Sequence, residues 1–344
     1  MKTRLIILTF IAFLCSCSNS TEEGLSKLFS TTQKVNTISC FSKHGNDLLN
    51  PRLMAVDSVN FYFYESSADS MVLAVNKRND LKKRFLAKGQ GPIDAVSAES
   101  MYVANGKVYF YNLTLRKVLC YDEETGVVNV DSSATNFVLN NMISTSLAFD
   151  GDMGIYPILN NENRFVIKSQ EQEAYFGKIE DTREYSSIEY GWILQPMTDV
   201  NPIQKKLFWG SGMGDVYGIY DYSDINNIKE ICLQLYEMPV TSEIEKTAYT
   251  GDTRIGILSV TSNQDYIFAL YSGKLIKSVL RSMSDEDKLE LANNILVFDW
   301  SGNPIKRIVV NHDLRDIDYD KYEDKLYGIE LDGEYSLCQI PLEP

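Results

Sequence analysis

The chain is built from short apolar runs, four to eight residues long and rich in β-branched and aromatic side chains. They are separated by compact polar turns. From Tyr266 the sequence reads Tyr-Ile-Phe-Ala-Leu-Tyr-Ser-Gly273, then a polar insert. It resumes as Asn294-Ile-Leu-Val-Phe-Asp-Trp-Ser-Gly-Asn-Pro-Ile-Lys-Arg-Ile-Val-Val310. Runs of this length and composition, broken by Ser-Gly and Ser-Gly-Asn-Pro, predict a meander of antiparallel strands. Upstream, Asn105-Gly106 lies between Ser100-Met-Tyr-Val-Ala104 and Lys107-Val-Tyr-Phe-Tyr111. Asn-Gly in that setting is a strong short-range hairpin signal, because both central residues of the tight turn need positive φ.

Applied along the chain, this reading divides it into six meanders, at about 48–94, 99–140, 142–185, 196–239, 255–311 and 313–344. A recurring unit of roughly fifty residues suggests radial repetition. The expected fold is all-β: a six-bladed β-propeller of four-stranded antiparallel blades over 31–344. The last unit shows only three strand-like runs. The isolated run Lys34–Phe41 is expected to supply its fourth strand and close the ring, which would remove exposed sheet edges. Two stacked β-sandwiches would need a linker, and none is visible. Residues 277–293 interrupt the fifth unit; Ser284, followed by acidic residues, reads as the cap of a short surface helix running into Lys288–Ala292.

The first sixteen residues follow other rules. Lys2 and Arg4 precede the apolar run Leu5–Leu14, a secretory leader too short to cross a bilayer as a stop-transfer helix. Leu14-Cys-Ser-Cys17 resembles the lipobox of bacterial lipoproteins, which implies acylation of Cys17. Residues 17–30 are then a polar tether. Glu22 and Glu23 loosely resemble the export signal of surface lipoproteins in Bacteroidetes. An outer-membrane lipoprotein is therefore expected, facing outward rather than into the periplasm.

Two stretches are similar to one known family. Tyr271-Ser-Gly273 with Ile295–Ile305, and the segment Lys88-Gly-Gln-Gly-Pro92 closing the first unit, resemble the TolB-like six-bladed propellers of Bacteroidetes lipoproteins. The resemblance implies a propeller at the cell envelope and carries no catalytic residues with it.

Charge and chemistry narrow the function. The formal net charge is −14, and loss of Lys2 and Arg4 with the leader makes it more negative. Such a surface repels phosphate backbones, so nucleic acid is not expected as a partner. Beyond the leader, Cys40, Cys120, Cys232 and Cys338 form no metal-ligand spacing. Cys40 and Cys338 lie near opposite ends that a ring would bring together; two buried thiols are expected there, with a disulfide as the alternative.

The two histidines, His44 and His312, sit in polar loop contexts, and there is no GxSxG nucleophile elbow. Gly210-Ser-Gly-Met-Gly-Asp215 precedes a strand-like run rather than a helix, so it reads as a turn and not a phosphate cradle. Carboxylates at Asp150, Asp152, Asp313, Asp316, Asp318 and Asp320, and at Asp285–Asp287, make Ca²⁺ the one cofactor this chemistry allows, although no cofactor is expected. Asp318–Asp324 lacks the glycine of a calcium loop and reads as a solvated turn.

Of the three tryptophans, Trp300 reads as packing between blades. Trp192, in an irregular loop, is the candidate ligand platform. The expected function is a monomeric binding or scaffold module for a glycan, peptide or protein. The alternative is a propeller enzyme, a metal-assisted lactonase or a glycan-cleaving hydrolase or lyase. Carboxylates converging on the ring axis would favour the enzyme, and an apolar axis the binding module.

Overall fold

The computed structural model describes residues 24–40, 48–79, 81–144, 146–159, 161–169, 172–180, 185–245, 248–280 and 288–342. Cys17, the leader, His44 and the expected helix cap at Ser284 lie outside them.

After a 3-10 turn at Gly24–Leu28 come β1 (Thr32–Val35) and β2 (Ile38–Ser39). The first sheet is β3 (Pro51–Val56), β4 (Asn60–Glu65), β5 (Ser70–Asn76) and β6 (Lys82–Ala87). The second is β7 (Ser100–Ala104), β8 (Lys107–Asn112), β9 (Lys117–Asp122) and β10 (Val127–Val130), followed by helix α1 (Ser132–Asn140). The third is β11 (Ala148–Asp150), β12 (Met153–Pro157), β13 (Phe165–Lys168) and β14 (Glu173–Phe176), followed by α2 (Ser187–Ile193). The fourth is β15 (Pro196–Asn201), β16 (Lys206–Ser211), β17 (Asp215–Asp221) and β18 (Lys229–Glu237). Each is a four-stranded antiparallel meander.

The remaining strands are β19 (Ile257–Ser262), β20 (Tyr266–Tyr271), β21 (Ala292–Asp299), β22 (Pro304–Asp320), β23 (Lys325–Asp332) and β24 (Glu334–Ile340), with the short helix α3 (Ile276–Val279) after β20. They join β2 in one sheet, ordered β19-β20-β21-β22-β23-β24-β2. The long β22 serves two partners: Lys306 lies opposite Val297 of β21, and Ile317 opposite Gly328 of β23.

The first strand of each meander lies beside the first strand of the next. The order is cyclic: β3, β7, β11, β15, β19, the second half of β22, and back to β3. This makes the molecule an all-β propeller. The apolar runs follow from it, because second and third strands are covered on both faces by neighbouring blades. Phe61-Tyr-Phe-Tyr64 of β4 is buried throughout, whereas outer strand β18 stays largely accessible.

Aromatic contacts cement adjacent blades. Phe85 stacks on Tyr121 at 3.9 Å between the first and second sheets, and Phe61 meets Tyr327 edge-on at 4.9 Å between the last strands and the first sheet. Truncating a buried ring of this kind costs about 3–5 kcal/mol. Trp300 is buried as expected and donates Nε1–H to Asn263 O at 3.1 Å.

Three expectations need correction. The single strand over 34–41 is two: β1 runs parallel to the first half of β22, and β2 pairs antiparallel with β24. Thr37 breaks the run, since its N–H and hydroxyl turn to the Asn311 side chain and its hydroxyl also reaches Glu330. Cys338 is buried but Cys40 is exposed, and both thiols are free. Ser39 lies opposite Cys338, and Cys40 N–H bonds Leu337 O, so the two sulfurs project from opposite faces of the ladder. Finally, Trp192 was expected in an irregular loop, but it lies on the helix α2. Asp131 caps α1 by accepting from Ala134 N–H, and Ser186 and Glu189 form a capping box on α2.

Candidate functional site

A cavity of about 680 Å³ lies inside the ring, walled by all six inner strands. Strands splayed around an axis cannot ladder with one another, so their facing N–H groups need side-chain acceptors. The sequence supplies these as hydroxyls and carboxylates at alternating positions. Leu147 N–H donates to Ser100 Oγ at 3.2 Å, and Thr198 N–H to Ser146 Oγ at 3.0 Å. Tyr319 N–H donates to Thr261 Oγ1 at 3.0 Å. Where β22 meets β3, Met54 N–H donates to Asp316 Oδ2 at 2.6 Å and Val56 N–H to Asp318 Oδ2 at 2.7 Å. Between β15 and β19, Ser262 Oγ donates to Asp199 Oδ2 at 2.6 Å. Each side chain thus stitches its strand to a neighbouring inner strand.

This corrects the reading of Asp318–Asp324 as one solvated turn. Asp316 and Asp318 belong to β22, and Asp320 is buried in an ion pair with Lys77; only residues 321–324 form the turn. Tyr102 adds a hydrogen bond to Asp199 Oδ1 at 3.3 Å. Burial deep in the ring pushes Asp199 and Asp316 up to about 6, against opposing hydrogen bonds from Ser262 and Ser259. Asp318 is raised further above the usual carboxylate range, by burial first and by the negative charges of Asp199 and Asp316 in addition.

The rest of the wall mixes apolar side chains with Glu99, Asp150, Asn201 and Asn263. Leu53, Met101, Val103, Met197, Leu258 and Val260 all turn partly exposed surface to the cavity. Both halves of the axis criterion are therefore met: carboxylates converge, but beside apolar side chains, and Asp199, Asp316 and Asp318 each accept from a backbone amide. Among the described residues no group of three or more His, Cys, Asp or Glu is arranged to hold a metal ion.

The cavity opens where first strands turn into second strands. Its exposed lining residues, Asn105, Pro202, Ile203, Gln264, Lys321 and Tyr322, all sit in those turns. Ile203 is 68% and Tyr322 60% exposed, an apolar rim around an acidic throat. Among the described residues, Lys321 is the single basic one of the lining. Asn105 and Gly106 have φ of +52° and +70°, the conformation expected of that turn.

Over residues 54–322 the sequence matches the model of the TolB-like 6-blade propeller-like family. The chain belongs to that family. No curated protein matches. Solved structures of similar shape include a chain of the nidogen/laminin complex (10% identity, 79% of this chain and 86% of that one, TM-score 0.47). Others are U3-55K (9%, 87% and 97%, TM-score 0.46) and the RRP9 WD40 repeats (10%, 87% and 96%, TM-score 0.45).

Trp192, the platform expected from sequence, lies half-buried on α2 between β14 and β15, and it does not line the cavity of this TolB-like propeller. Gly210–Asp215 forms the end of β16, the β16–β17 turn and the start of β17, as expected. His312 lies on β22, with Nδ1 3.7 Å from Asp332. Sequence reasoning missed the stitching residues. Their signal was present, as Ser259-Val-Thr261 and Asp316-Ile-Asp318, but alternation of polar and apolar positions ordinarily marks a solvent face.

Proposed function

We propose that this chain is a lipid-anchored cell-envelope binding module, a surface lipoprotein of Bacteroidetes acylated at Cys17. On this reading it engages a peptide segment of a protein partner at the cavity mouth. Its eight-stranded sheet comprises the fifth and sixth of six blades, with β2 as the strand that closes the last. The observation that carries the binding role is the cavity itself: apolar patches on its walls, several lining carboxylates and a rim of exposed Ile203 and Tyr322. That chemistry suits a segment presenting an apolar side chain beside a Lys or Arg, with amide side chains of the turns to bond its backbone.

The test is selection of peptides from a random display library on the folded chain, followed by binding to an Ile203→Lys/Tyr322→Ser variant. Enriched peptides should combine apolar and basic residues and lose binding to the variant while its melting temperature stays unchanged. Peptides indifferent to both substitutions would reject the mouth as the site.

The enzyme reading retains one observation in its favour. Asp199 faces the cavity, is raised to about 6 and is held by the Tyr102 hydroxyl, as a proton-transfer group would be. Turnover of a lactone or glycan, abolished by Asp199→Asn, would establish it.

A further inference from the structure

The N-terminal segment is docked, and the place where it docks fixes which way the cavity faces. Leu25 is fully buried between the fourth and fifth sheets, and its N–H donates to Tyr271 Oη at 3.1 Å. Tyr271 Oη in turn donates to Asp215 Oδ1 at 2.7 Å, and Arg254 lies 3.3 Å from Asp215 Oδ2 and 3.1 Å from Glu237 Oε2. Gly24 sits against this cluster with φ +72°. A Cβ there would come within 2.2 Å of both the Asp215 carboxylate and the Tyr271 hydroxyl, so the position admits glycine alone. Phe29 then meets Phe298 edge-on at 5.2 Å.

Asp215 begins β17, Tyr271 ends β20, Glu237 ends β18, and Arg254 lies in the connection leading to β19. All four are at the face where outer strands cross to the next blade. The cavity mouth is at the other face, where Asn201–Lys206 and Ser262–Tyr266 turn.

We infer that this docked segment is an orientation clip: the chain leaves the propeller from the face opposite the cavity mouth, so an anchor on the preceding residues holds the mouth away from the membrane. The inference rests on the proposed anchoring at Cys17. Seven residues from Cys17 to Glu23 reach at most about 24 Å. A strand such as β17 alone spans roughly that distance, before the turns at both ends are added. The tether is therefore too short to let the propeller invert and bring its mouth to the bilayer.

The experiment uses the full-length chain, purified from membranes and reconstituted in vesicles carrying acceptor-labelled headgroups. Donor dye is placed at Asp252→Cys on the exit face or Asp265→Cys on the mouth face, each with Cys40→Ser and Cys232→Ser. Energy transfer from position 252 is expected to exceed that from 265 at least threefold, and Leu25→Ala is expected to shrink the difference by loosening the clip. Equal transfer, or stronger transfer from 265, overturns the inference.

Intact mass of the same sample reads acylation separately. If Cys17 carries no lipid the anchoring proposal fails. The clip is then judged with the same two dyes on a Cys17→Ser chain held by an N-terminal hexahistidine on nickel-chelating lipid, where the same threefold difference is required.

Discussion

The inward carboxylates make acid stabilising over a defined range. Asp199 and Asp316 have folded pKa values of about 6, raised by burial from an ordinary 3.8. Between those limits the native state binds more protons than the unfolded chain, so stability falls as pH rises. At pH 5 each buried carboxyl is largely protonated while its unfolded counterpart is largely ionised. The resulting tenfold difference in proton binding is worth about 1.4 kcal/mol per group. At pH 7.5 nearly all of that is gone. The two groups together should therefore stabilise the protein by about 3 kcal/mol at pH 5 relative to pH 7.5, and Asp318 and Asp215 shift in the same direction. Carboxylates held below their ordinary range, such as Asp221 and Glu323, oppose this only below about pH 4.5. The assay is urea unfolding from pH 4.5 to 7.5 in wild type and in Asp199→Asn/Asp316→Asn. The amide variant keeps a carbonyl acceptor for Met54 N–H but cannot ionise, so its profile should be flatter by those 3 kcal/mol. A wild-type stability that is level or rises with pH across this range would refute the reasoning.

Other predictions concern single contacts. Thr261→Val removes one of two acceptors for Tyr319 N–H, which also reaches Asp318 Oδ1, and one donor to Asp318; loss of these bonds without orphaning either group should cost about 0.5–1.5 kcal/mol, read by the same urea curves. Phe61→Ala opens the seam where the ring meets itself, and a loss of about 3–5 kcal/mol is expected, with earlier proteolysis of the last strands. Trp192→Ala should leave peptide binding unchanged, because Trp192 does not line the cavity, while truncating the half-buried ring lowers the melting temperature modestly.

Strand positions were legible because blade packing imposes them directly. A strand covered on both faces must be an unbroken apolar run, and Phe61–Tyr64 and Ile267–Tyr271 announce themselves as such. The Asn105-Gly106 turn was legible because few residues tolerate its φ values. The site was less so. Asp316 and Asp318 look like the wet side of a strand, since nothing local says that this side faces neighbouring strands and an inner cavity. The capping box Ser186-x-x-Glu189 was present in sequence and passed over, because only seven residues of helix follow it. The docked Leu25 was hidden for a related reason: its partners Tyr271, Asp215 and Arg254 are distant in sequence and meet only once two blades are packed.

The central claim is that a partner engages the cavity mouth. Amide hydrogen exchange, measured with and without a saturating selected peptide, tests it most directly. The account predicts slowed exchange at the turns around Asn105, Ile203, Gln264 and Tyr322, with the outer strands unchanged. Slowing confined to α2 and the segment around Trp192, with the mouth turns unaffected, would contradict it.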